Sequence, residues 1–598
     1  MNRRPLRPLA RILLARARGQ NPGEIEAEER AARLRNMRIV ERHRAESRLV
    51  FLAIGFAIAF VAIAMQMGVI ATSEPQEPKA LVAGASIVTQ RADIVDRNGS
   101  ILATNLITSS LYAQPQQMVD KAAAAEGLAT IFADLDAGDL LTQFNGPRKF
   151  LWIKHKLSPE QEQAVHDLGE PGLLFGPREL RLYPNGALAA HILGGTGFGV
   201  EGVHAAEIIG TAGVERQFDA FLRDPAMNGA PLRLSIDLSV QAAMQDVLAG
   251  GMRVMSAKGA GAVLMDVHTG QIISMVSLPD FDPNHRPLPP LQGDPGDSPL
   301  FNRMVQGLYE LGSALKPFTA ALALQQGVAG PDTMIDTAGP MKWGKFTIRD
   351  FHNYGARLSM TDVIVKSSNI GSAHLALAAG GAAQQAFLKS LGFFEAEPVE
   401  LPEAVGAKPL LPKKWSELSV ITIAYGHGLS ISPLHLAAGY AAIANGGLKV
   451  VPTLMADSPT LGESDRIMSE NTAREVRSML RQVVTRGTAT MGDVQGYEVA
   501  GKTGTADKPR PNGGYYDDKV IATFATMFPV SDPQYVLVVT LDEPVEVSGT
   551  EDRRTAGWTA VPVAAEIIRR IAPLMNVWPS PGIGTRPDGS LVLAGIQE

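Results

Sequence analysis

From Leu49 to Met65 the chain reads LVFLAIGFAIAFVAIAM without one charged or strongly polar side chain, and after Gln66 the apolar character continues to Ala71. As a helix these 23 residues rise ~35 Å, enough to cross a ~30 Å hydrocarbon core. Inside lipid every backbone group must be satisfied within the segment, which commits such a stretch to helix. A cleavable signal peptide carries an apolar run of ~7 to 15 residues behind a short basic lead, whereas the lead here is 48 residues long. The expected element is therefore an uncleaved signal anchor. Residues 1–48 hold 13 Arg, no Lys and 6 Glu, a balance of +7, while the remainder carries −13. Arg42, Arg44 and Arg48 precede the span and Glu74 and Glu77 follow it. The positive-inside rule then places the N-terminus in the cytoplasm and exports the bulk of the chain. Topology accounts for the arginines, so no nucleic acid is expected as a partner.

The other composition figures restrict the chemistry. With 45% hydrophobic and 19% charged side chains in 598 residues, disorder and coiled coil are excluded. Cysteine is absent, which removes disulfides, thiolate nucleophiles and thiolate zinc sites together. Covalent catalysis would have to use Ser, Thr, Lys or a carboxylate.

After the span comes a polar linker, SEPQEPKA, and then a segment to about Asn228 that mixes short strands with helical stretches such as MVDKAAAAEGLATIFADL. It reads as a noncatalytic α+β module over 72–230. From Pro231 the texture changes to an alternating strand, PLRLSID, an amphipathic helix, LSVQAAMQDVLAGGMRVM, and two apolar strands joined through His268, Thr269 and Gly270. Near the end VAGKTGTADK, VIATFATMFPV and QYVLVVTLDEP read as consecutive strands before a closing helix, AVPVAAEIIRRIAPLM. Helices on an antiparallel sheet make 231–575 α+β in type; 576–598 reads as a loose tail.

In YELGSALKPFTAALALQQG, Ser313 and Lys316 stand three apart on a segment that becomes helical, one turn from each other on the same face. A serine hydroxyl is a poor nucleophile until a base takes its proton, and a neutral amine within reach can do so. Pro317 is expected to forfeit mainly the hydrogen bond to the Ser313 carbonyl. In VIVKSSNIGSAHLA, Ser367 and Asn369 follow, and Lys502, Thr503, Gly504 and Thr505 come later in VAGKTGTADK. Ser367 and Asn369 could equally be a helix cap; a second Ser-x-Asn, Ser469 to Asn471, reads as one. The histidines His268, His352 and His427 lack metal-ligand spacing, and Asp350, Phe351 and His352 read as packing at a cleft wall.

Ser-x-x-Lys, then Ser-x-Asn, then Lys-Thr-Gly is the ordered set of the penicillin-interacting serine acyltransferases. The wider chain, from about residue 50 to 575, resembles class B penicillin-binding proteins of the FtsI type. VDRNGSILATN (95–105), RLYPNGALAAHILG (181–194) and AGVERQFDAFL (212–222) are similar to the boxes of that family's noncatalytic pedestal, and YGHGLSISPLHLAAGYAAIANGG (425–447) to its stretch before the third motif. Leu311 stands where proline is expected and Ala92 where glycine is usual.

The resemblance implies a penicillin-binding transpeptidase domain and a serine acyl-enzyme, with no cofactor and no metal. Ser313 would be the nucleophile and Lys316 its base. Ser367 would relay a proton to the leaving amine, and Asn369 would bind the substrate amide and Lys316. Lys502 would supply positive charge, Thr503 and Thr505 would bind the terminal carboxylate of a D-alanyl-D-alanine stem, and Gly504 would let the strand approach the ligand. The backbone N–H groups of Ser313 and Thr505 would form the oxyanion hole. The expected activity is septal peptidoglycan D,D-transpeptidation at the bacterial inner membrane, with the catalytic domain periplasmic. Peptidoglycan stem peptides would be substrates and β-lactams inhibitors; a SEDS-family glycan polymerase and other division proteins would be partners. An elongation-specific transpeptidase, a β-lactamase and a noncatalytic β-lactam sensor are the competing readings.

Overall fold

The computed structural model describes residues 13–19, 23–24, 27–28, 31–32, 52–65, 91–201, 206–457, 465–510, 513–580, 582–585 and 591–594. The chain divides into two compact units, residues 1–77 and 78–598. In the first, residues 52–65 are helical, and among the described residues no helix is long and apolar enough to cross a membrane. The rest of the expected 49–71 span, most of the Arg-rich tail and the linker from Ser73 lie outside the described residues.

The second unit is built on an antiparallel five-stranded sheet and a smaller sheet N-terminal to it. In the smaller sheet a long strand, β1 (Ile101–Ala113), pairs with β2 (Leu151–Leu157) and β3 (Leu173–Leu182) on either side. Around it Leu111, Leu128, Phe132, Phe144 and Val165 form a separate core.

Three stretches that stand apart in sequence meet beside this sheet. Glu215 is fully buried, with Arg91 and Arg181 each at 2.7 Å from its carboxylate, and Arg91 reaches on to Asp219 at 2.7 Å. Tyr183 donates to the same carboxylate at 3.3 Å. A buried carboxylate is tolerated only when paired in this way, so Arg91, just before the first box, joins Arg181 and Glu215 of the other two in one ion cluster. Asp96 of the first box takes the N–H groups of Asn98 and Ser100 and, at 3.1 Å, that of Leu238.

Leu238 opens α1 (Leu238–Val254), whose N-cap is Asp237. The large sheet runs in the order β6 (Ala500–Pro509), β7 (Tyr515–Phe528), β8 (Tyr535–Asp542), β4 (Gly259–Asp266), β5 (Ile272–Leu278). Every residue of β5 is buried, a pattern that requires cover on both faces and explains why these strands read as continuous apolar runs. α1 packs with α6 (Ala560–Ile571), and α4 (Pro433–Ala444) with α5 (Glu470–Arg486), and both pairs lie against the sheet. The consequence is that β6, which carries Lys502 to Thr505, is left as an edge.

Two expectations change. PLRLSID forms a two-residue strand, Leu232–Arg233, which pairs parallel with Ile94–Val95; beyond it Leu234 N still donates to the Val95 carbonyl and Leu234 bridges to Met455, so the expected strand is shorter than its alternation suggests but is present. The tail is not wholly loose, because Gly582–Thr585 pairs antiparallel with Leu591–Ala594.

Candidate active site

Ser313 lies in a short 3-10 turn, Gly312–Leu315, that runs into α2 (Lys316–Gln325). The N–H of Lys316 bonds the Ser313 carbonyl, and Pro317 falls in the first turn of α2, where its missing N–H has no helical partner to lose. The sequence expectation that Pro317 forfeits the bond to Ser313 is therefore corrected.

Lys316 is fully buried. Its Nζ lies 3.0 Å from Ser313 Oγ, 2.5 Å from the Ser367 carbonyl oxygen, 3.0 Å from Ser367 Oγ and 2.8 Å from Asn369 Oδ1. Two of these partners, the carbonyl and the amide oxygen, can only accept. A neutral amine satisfies both with its two N–H groups and keeps its lone pair for a hydroxyl proton. Burial, reinforced by the Lys502 cation and opposed by Asp350, holds the Lys316 pKa well below its ordinary 10.5. The site thus favours the form of lysine that can act as a base.

Ser367 sits in the left-handed region at φ 63°, which turns both its carbonyl and its hydroxyl toward the lysines. Lys502 Nζ is 3.0 Å from Ser367 Oγ, so one hydroxyl bridges the two amines. Burial lowers Lys502 to about 7, leaving it partly charged at neutral pH.

The cap of α3 (Asn369–Ala379) is Ser368, the residue between the two motif positions, while the discarded pair behaves as read, with Ser469 capping α5. Asp350 fixes this corner. Its carboxylate accepts from Ser368 Oγ at 2.7 Å, Asn369 N at 2.5 Å and Ile370 N at 3.0 Å, at the positive end of the helix. The packing role expected for Asp350 is corrected: it orients Asn369, whereas the neighbouring Phe351 and His352 are exposed. Nothing in the local pattern marks this residue, since its partners lie about twenty positions away. The Asn369 amide nitrogen donates to the Arg349 carbonyl at 3.0 Å.

On β6, Thr503 Oγ1 lies 2.7 Å from Thr488 Oγ1, and Thr505 Oγ1 accepts the Ala556 N–H at 3.0 Å. Thr505, accepting through its oxygen, keeps its hydroxyl hydrogen to offer, and Thr503 is held by the neighbouring Thr488 hydroxyl. Gly504 is required for a contact within the protein itself. A Cβ there would stand 2.2 Å from the Leu311 carbonyl oxygen and 3.0 Å from the Ala314 Cβ, and one on Gly312 would stand 2.6 Å from the Thr505 oxygen. The close approach is between β6 and the serine turn, backbone on backbone, which brings the Ser313 and Thr505 main chains together. Among the described residues no group of His, Asp and Glu could hold a metal ion.

Comparison with known proteins decides the family. The penicillin binding protein transpeptidase domain matches residues 260–569, and the penicillin-binding protein dimerisation domain matches residues 86–225. The chain belongs to the penicillin-binding protein transpeptidase family. It is 36% identical over 497 residues, 81% of this chain and 82% of the relative, to the probable peptidoglycan D,D-transpeptidase FtsI of Caulobacter vibrioides. It is 29% identical to the peptidoglycan D,D-transpeptidase FtsI of Escherichia coli, covering 82% of this chain and 85% of that one. Among solved structures, penicillin-binding protein 3 of Mycobacterium tuberculosis in complex with aztreonam aligns at a TM-score of 0.61 and 26% identity, covering 84% of this chain and 98% of that one. This penicillin-binding protein thus carries both modules of its relatives and a two-part fold of mixed helices and sheets.

Proposed function

We infer that this penicillin-binding protein is a septal peptidoglycan D,D-transpeptidase working through a serine acyl-enzyme. The observation that carries the reading is the single network joining the half-buried Ser313, Ser367 and Asn369 to the buried Lys316 and Lys502, together with relatives named as D,D-transpeptidases. Lys316 takes the Ser313 proton as Oγ attacks the penultimate D-alanine carbonyl. The developing oxyanion faces the Ser313 and Thr505 N–H groups, where one donor is worth ~3 kcal/mol. Ser367, between the two lysines, delivers a proton to the leaving D-alanine nitrogen as the C–N bond breaks. Lys502, Thr503 and Thr505 hold the terminal carboxylate, and Asn369 holds the stem amide. An acceptor amine then displaces Ser313.

The same reading places the chain in the inner membrane on a helix at 49–71, with the catalytic module periplasmic. A SEDS-family glycan polymerase and other division proteins are its proposed partners. The FtsI names favour division over elongation. Labelling the full chain with penicillin should give one adduct, on Ser313, lost in Ser313→Ala. Depletion should produce filaments with blocked constrictions; round, swollen cells would move the assignment to elongation. A cellular protein with a new N-terminus near residue 72 would refute the anchor.

A further inference from the structure

Ser313 is served by Lys316 on one side, but the second half of a transpeptidation needs a proton taken from somewhere else, the acceptor's ammonium. Beside the nucleophile stands a histidine that the scheme above leaves unused. The backbones of 309–312 and 426–431 run together: Tyr309 and Ile431 exchange N–H···O bonds, each at 3.0 Å, and Gly312 N donates to Gly426 O at 3.2 Å. A Cβ on Gly426 would lie 1.9 Å from the Gly312 oxygen, so this contact is as tight as the chain allows. His427 is the next residue, two backbones from Ser313.

Its ring is framed by aromatic groups from two further segments, Tyr425 at 5.5 Å and Tyr515 at 6.2 Å between centroids. Glu310 ties that frame together, accepting from Tyr515 Oη at 2.9 Å and from Gly428 N at 2.7 Å. Nδ1 of His427 is shut away from water, and no hydrogen bond to it forms among the described residues. Burial lowers the imidazole below its ordinary 6.5; Glu310 and Asp507 oppose that, Lys316 reinforces it, and a backbone contact to Tyr425 opposes it. Burial thus favours the neutral ring. In the neutral ring one nitrogen carries the hydrogen and the other keeps a lone pair able to accept a proton.

We propose that His427 is the base of the transfer step, accepting at Nε2 a proton from the acceptor ammonium. The amine so freed attacks the Ser313 ester carbonyl, and its lone pair forms the new C–N bond. The bond from that carbonyl to Ser313 Oγ breaks, with its electron pair going to Oγ, which takes the amine's second proton. The amide, the serine hydroxyl and an imidazolium result, and the imidazolium returns its proton to solvent. This rests on the transpeptidase reading above.

The test uses the full chain in detergent with a D-alanyl thioester as donor and a short peptide whose free α-amine titrates near ~8 as acceptor. In His427→Gln, acylation by the thioester, which also reports folding, stays within about threefold of wild type, while transfer at pH 6.5 to 7 falls on the order of 10²-fold, the usual range for one general base. That loss shrinks toward pH 9, where the acceptor arrives already deprotonated. An equal fall in acylation and transfer, a transfer loss unchanged by pH, or no loss at all would each overturn the role of His427. A wild-type protein that forms no acyl-enzyme with the thioester would instead overturn the transpeptidase reading itself.

Discussion

Asp350 offers the sharpest test of how the site is held. Its carboxylate takes three hydrogen bonds, at 2.7, 2.5 and 3.0 Å, from Ser368 and the first N–H groups of α3. Hydrogen bonds to a charged group contribute about 1.5 to 3 kcal/mol each. The Asp350 side chain is only half-buried, so water replaces much of what Asp350→Ala removes, and about 2 kcal/mol is a reasonable remainder. Left-handed backbone such as that of Ser367 costs ~1 kcal/mol or more and persists only while its surroundings enforce it. Releasing the corner lets Ser367 and Asn369 turn away from Lys316. At ~1.4 kcal/mol per decade, penicillin acylation should slow by about 30-fold.

The pH profile separates this from simple loosening. Asp350 raises the Lys316 pKa against burial and Lys502. Removing its charge therefore lowers that pKa further, so the acid limb of the acylation profile must move to lower pH while the plateau drops. Asp350→Asn, which keeps the shape, should show the shift with a smaller drop. Stopped-flow acylation between pH 5 and 9 is the assay, with both ends given as approximate working limits. A plateau within threefold of wild type, or an acid limb that stays put or moves up, would refute the reasoning.

Three further outcomes follow from the same geometry. Gly504→Ala forces a methyl against the Leu311 carbonyl, displacing β6 from the serine turn, and since ~1 Å of misplacement can cost 10²-fold, acylation should fall by about that factor; near-normal acylation would show that β6 has slack. Glu215→Gln leaves Arg181 buried without a counter-charge and Arg91 with Asp219 alone, which should cost about 3 kcal/mol in a denaturant melt, and an unchanged midpoint would contradict the ion cluster. Lys502→Met removes a charge that depresses Lys316, so the acid limb of any acylation that survives should move to higher pH, the opposite sign to Asp350→Asn.

The chemistry was legible in the sequence because it is carried by short motifs whose internal spacing is the geometry: one turn separates Ser313 from Lys316, and one edge strand carries Lys502 to Thr505. Strands near the C-terminus were legible because burial on both faces writes unbroken apolar runs. What escaped is what depends on distant pairing. Asp350 has no signature until α3 is folded beside it, and the buried position of Glu215 is invisible until two arginines arrive from distant segments. Gly504 was assigned to the right strand, but its contact with the serine turn escaped, since a glycine records that something is close and not what it is. The alternation of PLRLSID marked burial and a strand correctly but not its length, because after Arg233 the ladder thins to single bonds and one bridge.

The parallel pairing of Ile94–Val95 with Leu232–Arg233 has a bearing on modular exchange. Those two short strands, with Leu102, Tyr183 and Val214 from one side and Val240 and Met244 from the other, belong to a single core. A pedestal transplanted from a relative by joining chains near residue 230 would be cut in an exposed loop, yet it would pair an unmatched partner with the Leu232 strand just beyond it. Such a hybrid would need the Ile94 strand, the Asp96 turn and the start of α1 carried over together, so the unit of inheritance is the seam and not either module.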